Sequence, residues 1–266
     1  MIEFILDQKT LLLVVLGVYL SVSLVEILSN PPSEQIPIGD RLLNVGAGIL
    51  FLLVGGYLAW LAIIKVMQFG LYRRSSMDPF LYVLVFVLIQ DFIYYFYHRF
   101  QHNWSFLWGI HKFHHTDSDV NVTTSHRTNL LEQPVQFFVV SLPPTLLLGV
   151  HPSGLLWATY IGLFFLYLSH SKLDIGMGLF SPVFVGPRYH RVHHSQHPQH
   201  LNKNFAQFFP FIDLAFGTYV KPLPLGKVKT GVMDCSTFRD QWTPLFWPLT
   251  LLRKPGQGRV TRGPSG

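Results

Sequence analysis

The sequence predicts an all-α integral membrane protein, a bundle of about four to five apolar segments with a histidine-rich cap on one face. Three observations carry this reading. Hydrophobic residues make up 49% of the 266 and charged residues only 13%, with a mean hydropathy of +0.32. The apolar residues are gathered into runs of bilayer length instead of being spread at the period of a surface helix or strand. Eight of the thirteen histidines stand in three tight groups, HRFQH (98–102), HKFHH (111–115) and HRVHH (190–194).

In chain order, residues 10–28 read as a first spanning helix of about the 20 residues that a bilayer requires. The opening MIEFILDQK carries acids and no basic leader, so a cleaved signal peptide is not expected. A Pro-rich break covers 30–40, a second span 42–64, and a polar or interfacial connection 65–78. The third span is 79–100. Residues 134–150 and 154–169 are shorter apolar segments joined at Gly149-Val150-His151-Pro152, which predicts a tight hairpin, and Pro143-Pro144 should kink its first arm. Three regions follow: N-terminal spanning helices and connection (1–78), a catalytic region (79–220), and an interfacial C-terminal cap with a disordered tail (221–266). Trp242, Phe246 and Trp247 are expected at headgroup level in that cap.

A hairpin of two passes returns the chain to the side it left, so residues 98–133 and 170–266 should share one face. From Lys172 onward there are twelve Lys and Arg against four Asp, which places that face in the cytoplasm by the positive-inside rule. Lys65, Arg73 and Arg74 lie on the opposite side in this scheme and run against it. The net charge of +6 sits beside membrane segments and is better matched to lipid headgroups than to nucleic acid. The single Cys235 excludes an intramolecular disulfide framework and a thiolate metal cluster, leaving imidazole, oxygen or water as ligands.

His98 and His102 are four residues apart and project from one helix face. His111, His114 and His115, and again His190, His193 and His194, repeat the device at offsets of three and four. So many imidazoles exceed the four ligands of a structural zinc or the three of a hydrolytic one, so two metals fit better. His170, leaving the hairpin in LSHS, is a ninth candidate. Asp91, seven before His98, is a carboxylate inside an apolar helix, read as a packing contact or as an acceptor that orients a ligand imidazole through its other ring nitrogen. His126, His197 and His200 are weaker candidates, and Arg127 suits headgroup or substrate recognition as readily as structure. His151 belongs at the far tip of the hairpin. NWS at 103 and NVT at 121 match glycosylation acceptors but would face the cytoplasm.

With HRFQH, HKFHH and HRVHH, the NVTT at 121–124, the SHS at 169–171 and the ending NKNFAQFFPFIDLAFGTY (202–219), the chain resembles the fatty acid hydroxylase and sterol desaturase superfamily of membrane di-iron oxygenases. The likeness covers residues 79–220, and the branch it is most similar to includes alkylglycerol monooxygenase-like and bacterial sterol desaturase-like members. By resemblance, His98, His102, His111, His114, His115, His170, His190, His193 and His194 would hold two iron ions. The family often has a histidine followed by Pro-Leu-Glu where this chain reads TNLLE. The resemblance implies hydroxylation or desaturation of a lipid with O2 as co-substrate. NAD(P)H-derived electrons would arrive through a separate cytochrome b5, ferredoxin or flavin reductase, since no GxGxxG or CxxCH pattern occurs. The location implied is a bacterial inner membrane or an endoplasmic reticulum.

Two other readings stay open on the residues. A zinc-dependent membrane hydrolase lacks HExxH and has no acid adjoining the histidine groups as a general base. A non-catalytic metal-binding or transport protein should carry its ligands near the membrane midplane, whereas these cluster at helix exits.

Overall fold

A computed structural model describes residues 8–30, 36, 38–68, 73–235 and 237–248. The expected disordered tail after 252 lies outside them, as do the masked parts of the N-terminal region. Helices α1 (Gln8–Ser29), α2 (Ile38–Gln68) and α3 (Pro79–Asn103) correspond to the three expected runs, and no strand occurs among the described residues. Helix α3 starts sharply because Pro79 cannot donate a backbone hydrogen bond and Asp78 accepts from the free amides of Phe80 and Leu81, both at 3.0 Å. It stops at Asn103, where Trp104 turns extended, and α4 (Ser105–His115) restarts at once.

The expected hairpin is present. Its first arm is compound: α5 (Glu132–Gln136), a π turn over Phe137–Ser141, and α6 (Leu142–Leu148). Pro143 and Pro144 bring no amide to the carbonyls one turn back, and the chain widens just ahead of them. Gly149, at φ 76, makes the tip in a conformation that side chains rarely adopt. Its carbonyl accepts from the Tyr82 hydroxyl at 2.8 Å. The second arm, α7 (Pro152–His170), is capped by His151 Nδ1 accepting from the Gly154 amide at 3.1 Å. His151 therefore caps the tip, remote from the other histidine groups.

Residues 73–75 of the expected interfacial connection pair with the tip: the Val150 amide donates to Arg73 O, and the Ser75 amide to Val150 O. Tyr82, Phe86 and Val87 of α3 pack with Ala158 of α7 and with Phe208, which ties the two long helices together below the histidine groups. These two helices are long and apolar enough to cross a membrane. Large apolar side chains stand exposed along the bundle, among them Leu28, Leu53, Phe80, Phe92 and Trp157.

The last part of the chain adds α8 (Pro187–His193), α9 (Phe211–Ala215) and α10 (Phe238–Trp242). Here one expectation is corrected. Trp247 is buried and meets Phe106 edge-on, while Trp242 packs on Phe113 and Arg127, so both tryptophans strap α4 from the side. Phe246 is exposed. Asn129 holds the strap by donating to the carbonyls of Pro244, Leu245 and Trp247. Arg127 is likewise buried between the Phe113 and Trp242 rings, bonded to Asn44 and Thr116, so it is structural and not a headgroup contact.

Candidate metal centre

The last turns of α3 and α7 lie at the same end of the bundle, and α4 and α8 meet them there. All nine candidate histidines converge, in two buried groups instead of three: His98, His102, His111, His115 and His193, and His114, His170, His190 and His194. In each group the ligand atoms lie within 4.8 Å of one another. The regrouping follows from helical geometry. His111 and His115, one turn apart, serve the first group, and His114, on the adjacent face of the same helix, serves the second. Helix α8 and its cap invert the pattern, with His190 and His194 in the second group and His193 in the first.

The tautomers are dictated by their surroundings. His98 Nδ1 lies 2.8 Å from Phe205 O, His193 Nδ1 2.9 Å from Lys203 O, His114 Nδ1 3.3 Å from Arg127 O, and His170 Nδ1 2.8 Å from Leu166 O. A carbonyl can only accept, so each Nδ1 carries the proton and each Nε2 presents a bare lone pair. Two of those lone pairs face one another, with His114 and His170 Nε2 3.0 Å apart, and the lone pair of His193 Nε2 lies 3.2 Å from His115 Nε2. Outside the two long helices, burial first and neighbouring imidazoles second push His114, His115, His190 and His194 well below the usual histidine pKa. His193 falls to about 3. Convergent, and with His98, His114, His170 and His193 backed by fixed carbonyl partners, the nine histidines fit metal ions.

The carbonyls are held in place by buried polar groups of α3 and of residues 204–218. Asp91 reaches no imidazole, contrary to the direct role considered for it. Its oxygens accept from the backbone amides of Gln207 (2.7 Å), Phe208 (3.1 Å) and Phe209 (2.7 Å), which no helix satisfies. It thereby orients the segment whose Phe205 carbonyl orients His98. Asp213 closes the same loop, accepting from the amides of Phe205 and Ala206, from Thr218 Oγ1 and from the Tyr189 hydroxyl. Asn204, at φ 58, bonds Tyr189 O and both polar groups of Val220. This is the work of the NKNFAQFFPFIDLAFGTY segment.

One acid does adjoin the site, which corrects the expectation that none would. Glu132, twenty-one residues after His111 and buried, accepts from His111 Nδ1 at 3.3 Å and from Gln101 Nε2 at 2.5 Å. The weaker candidates fall elsewhere. His126 packs against the rings of Tyr19 and Tyr167, where burial lowers its pKa to about 4. His197 and His200 form a surface pair, with His200 Nδ1 2.9 Å from Ser195 Oγ.

Beside the first group, α3, the start of α4 and the π-turn arm enclose an apolar groove of about 370 Å³, lined by Phe92, Phe96, Tyr97, Phe100, Trp104 and Val139 among others. Tyr97 joins it to the centre, since its hydroxyl accepts from the same Gln101 amide that bonds Glu132.

Comparison with known proteins adds to this. Residues 83–218 match the fatty acid hydroxylase family model. The chain is similar to alkylglycerol monooxygenase of Caenorhabditis elegans, 32% identical over 140 residues, covering 50% of this chain and 26% of that protein. Alkylglycerol monooxygenase of Homo sapiens is 25% identical over 194 residues, 71% of this chain and 42% of the relative. The ornithine lipid hydroxylase OlsE of Rhizobium tropici is 28% identical over 140 residues, 53% and 42% of the two. The chain thus spans well under half the length of these relatives. No solved structure matches it.

Proposed function

The chain belongs to the fatty acid hydroxylase family, and from that premise we propose that it is a multi-pass membrane di-iron oxygenase that hydroxylates or desaturates a C–H bond of a lipid. The observation that carries this is the pair of buried imidazole groups at the C-terminal ends of α3 and α7, two helices long and apolar enough to cross a membrane. The names of the relatives, monooxygenase and lipid hydroxylase, support the same class of reaction.

Two irons supply O2 activation and an oxidant able to take hydrogen from an unactivated carbon. In hydroxylation, one oxygen atom enters the C–H bond as hydroxyl and the other leaves as water, with two electrons and two protons from a separate donor. The chain's own residues do the rest. His98, His102, His111, His115 and His193 hold one ion, and His114, His170, His190 and His194 the other. The Nδ1 protons of His98, His111, His114, His170 and His193, each fixed by a carbonyl or carboxylate, keep the Nε2 atoms of those five rings aimed inward. The apolar groove beside Tyr97 accepts a hydrocarbon chain from the bilayer and keeps water away from it. Exposed leucines and phenylalanines along the helices meet lipid tails, and the histidine face looks into the cytoplasm, where a cytochrome b5, ferredoxin or flavin reductase docks.

The zinc hydrolase reading no longer lacks an acid, yet Glu132 Oε1 is already engaged by His111 and Gln101. Metal analysis with Mössbauer spectroscopy on protein from iron-supplemented cells tests the proposal. Two irons in a coupled pair are expected, and a single zinc that iron cannot replace would overturn it.

A further inference from the structure

The two histidine groups differ in what stands behind them. Four ligand imidazoles give their outer proton to a neutral backbone carbonyl: His98 and His193 in the first group, His114 and His170 in the second. His111, in the first group, gives its proton to a carboxylate. Glu132 is 5% exposed, and its partners among the described residues are the Gln101 amide and His111, with no lysine or arginine. Glu132 Oε2 and Gln101 Oε1 are buried and unpartnered.

A buried carboxyl group with no lysine or arginine partner is best served by a positive charge placed across the ring it bonds, on the far side of His111. That is the metal position of the first group, where His111 Nε2 lies 3.1 Å from both His98 Nε2 and His115 Nε2. Proton donation to a carboxylate also makes an imidazole a stronger electron donor than donation to a carbonyl. Gln101 pins the carboxylate so that this charge stays aimed at His111. No carboxylate backs a ligand of the second group among the described residues.

We propose that Glu132 is a positioning residue that makes the five-histidine group the higher-affinity of the two metal positions. The inference rests on the reading that each group holds one ion.

The test titrates metal-free protein in detergent micelles with cobalt(II) against a competing chelator, following the visible absorption of the bound ion. Wild type should bind in two steps, with His102→Ala removing the tighter and His170→Ala the weaker. Glu132→Gln should weaken the tighter step about 10–100-fold and spare the weaker one, with thermal melting of the metal-free variant confirming its fold. Gln101→Leu keeps the carboxylate but frees it, and should weaken the same step by a smaller factor. A two-step wild type with both variants unchanged, or with both steps weakened equally, overturns the proposal alone. Fewer than two ions in wild type overturns the two-position reading and the proposal with it.

Discussion

His114 and His170 aim their Nε2 atoms at each other across 3.0 Å while each gives its only ring proton to a carbonyl on the opposite side. Two lone pairs that close repel, and both rings are neutral donors with no proton to share between them. A cation between them turns the repulsion into a chelate.

His114→Ala and His170→Ala should each leave one of two ions bound, reduce lipid oxidation to background and leave membrane insertion normal. Metal content per chain and lipid analysis of the expressing membranes check this. Activity that survives His114→Ala would remove the site from consideration.

Asp91→Ala strips the acceptor from three amides, the buried one of Phe208 and the half-buried ones of Gln207 and Phe209. Each orphaned group costs on the order of 1–3 kcal/mol, so the melting temperature should fall sharply and iron should be lost together with it. Asp91→Asn, which keeps one acceptor oxygen, should lie between.

The pH dependence has a definite sign. His193, held to about 3, and His126, held to about 4, are neutral when folded and take up a proton on unfolding below the ordinary histidine pKa near 6.5. In that window the unfolded chain binds more protons, so stability is full above about 6.5 and lost as pH falls toward the folded values. The loss is about 1.4 kcal/mol per pH unit for each such histidine. Metal-free protein should melt at a lower temperature at pH 5 than at pH 7.5, and a flat or inverted profile would refute the assignment of neutral, buried imidazoles.

Val139→Trp should fill the groove beside Tyr97 without touching a ligand. Turnover of a long-chain substrate should fall at least about tenfold, the loss of roughly 1.4 kcal/mol of productive binding, with metal content unchanged. Equal turnover would place the reacting chain elsewhere.

Asn129→Ala releases the strap at Pro244, Leu245 and Trp247. Limited proteolysis within 230–248 should speed up well before the helical core is cut.

The nine histidines were legible because an imidazole in a helix exit at offsets of three and four has few other uses, and α3 was announced by the length of its apolar run and α7 by an apolar segment after the Gly149-Val150-His151-Pro152 turn. Their division was not legible, because sequence proximity groups His114 with His111 and His115 whereas the helix turns it toward His170. Glu132, the last residue of TNLLE, shows no link to His111 in the sequence for a related reason. It lies seventeen residues beyond His115, and only the return of the chain through the Val122–His126 turn brings it behind His111. The carbonyl partners carry no side-chain signature at all, so the importance of 202–219 shows in three dimensions and not in residue type. Asp91 was recognised as unusual, but its three amide partners are more than a hundred residues away.

Helices α4 and α8 each contribute to both histidine groups, so the separation of the two groups is written twice in helical pitch. A short helix scarcely stretches, and two of them laid against the same pair of points act as parallel rulers. Neither histidine group can drift without dragging the other, so the spacing between them is set by the backbone alone.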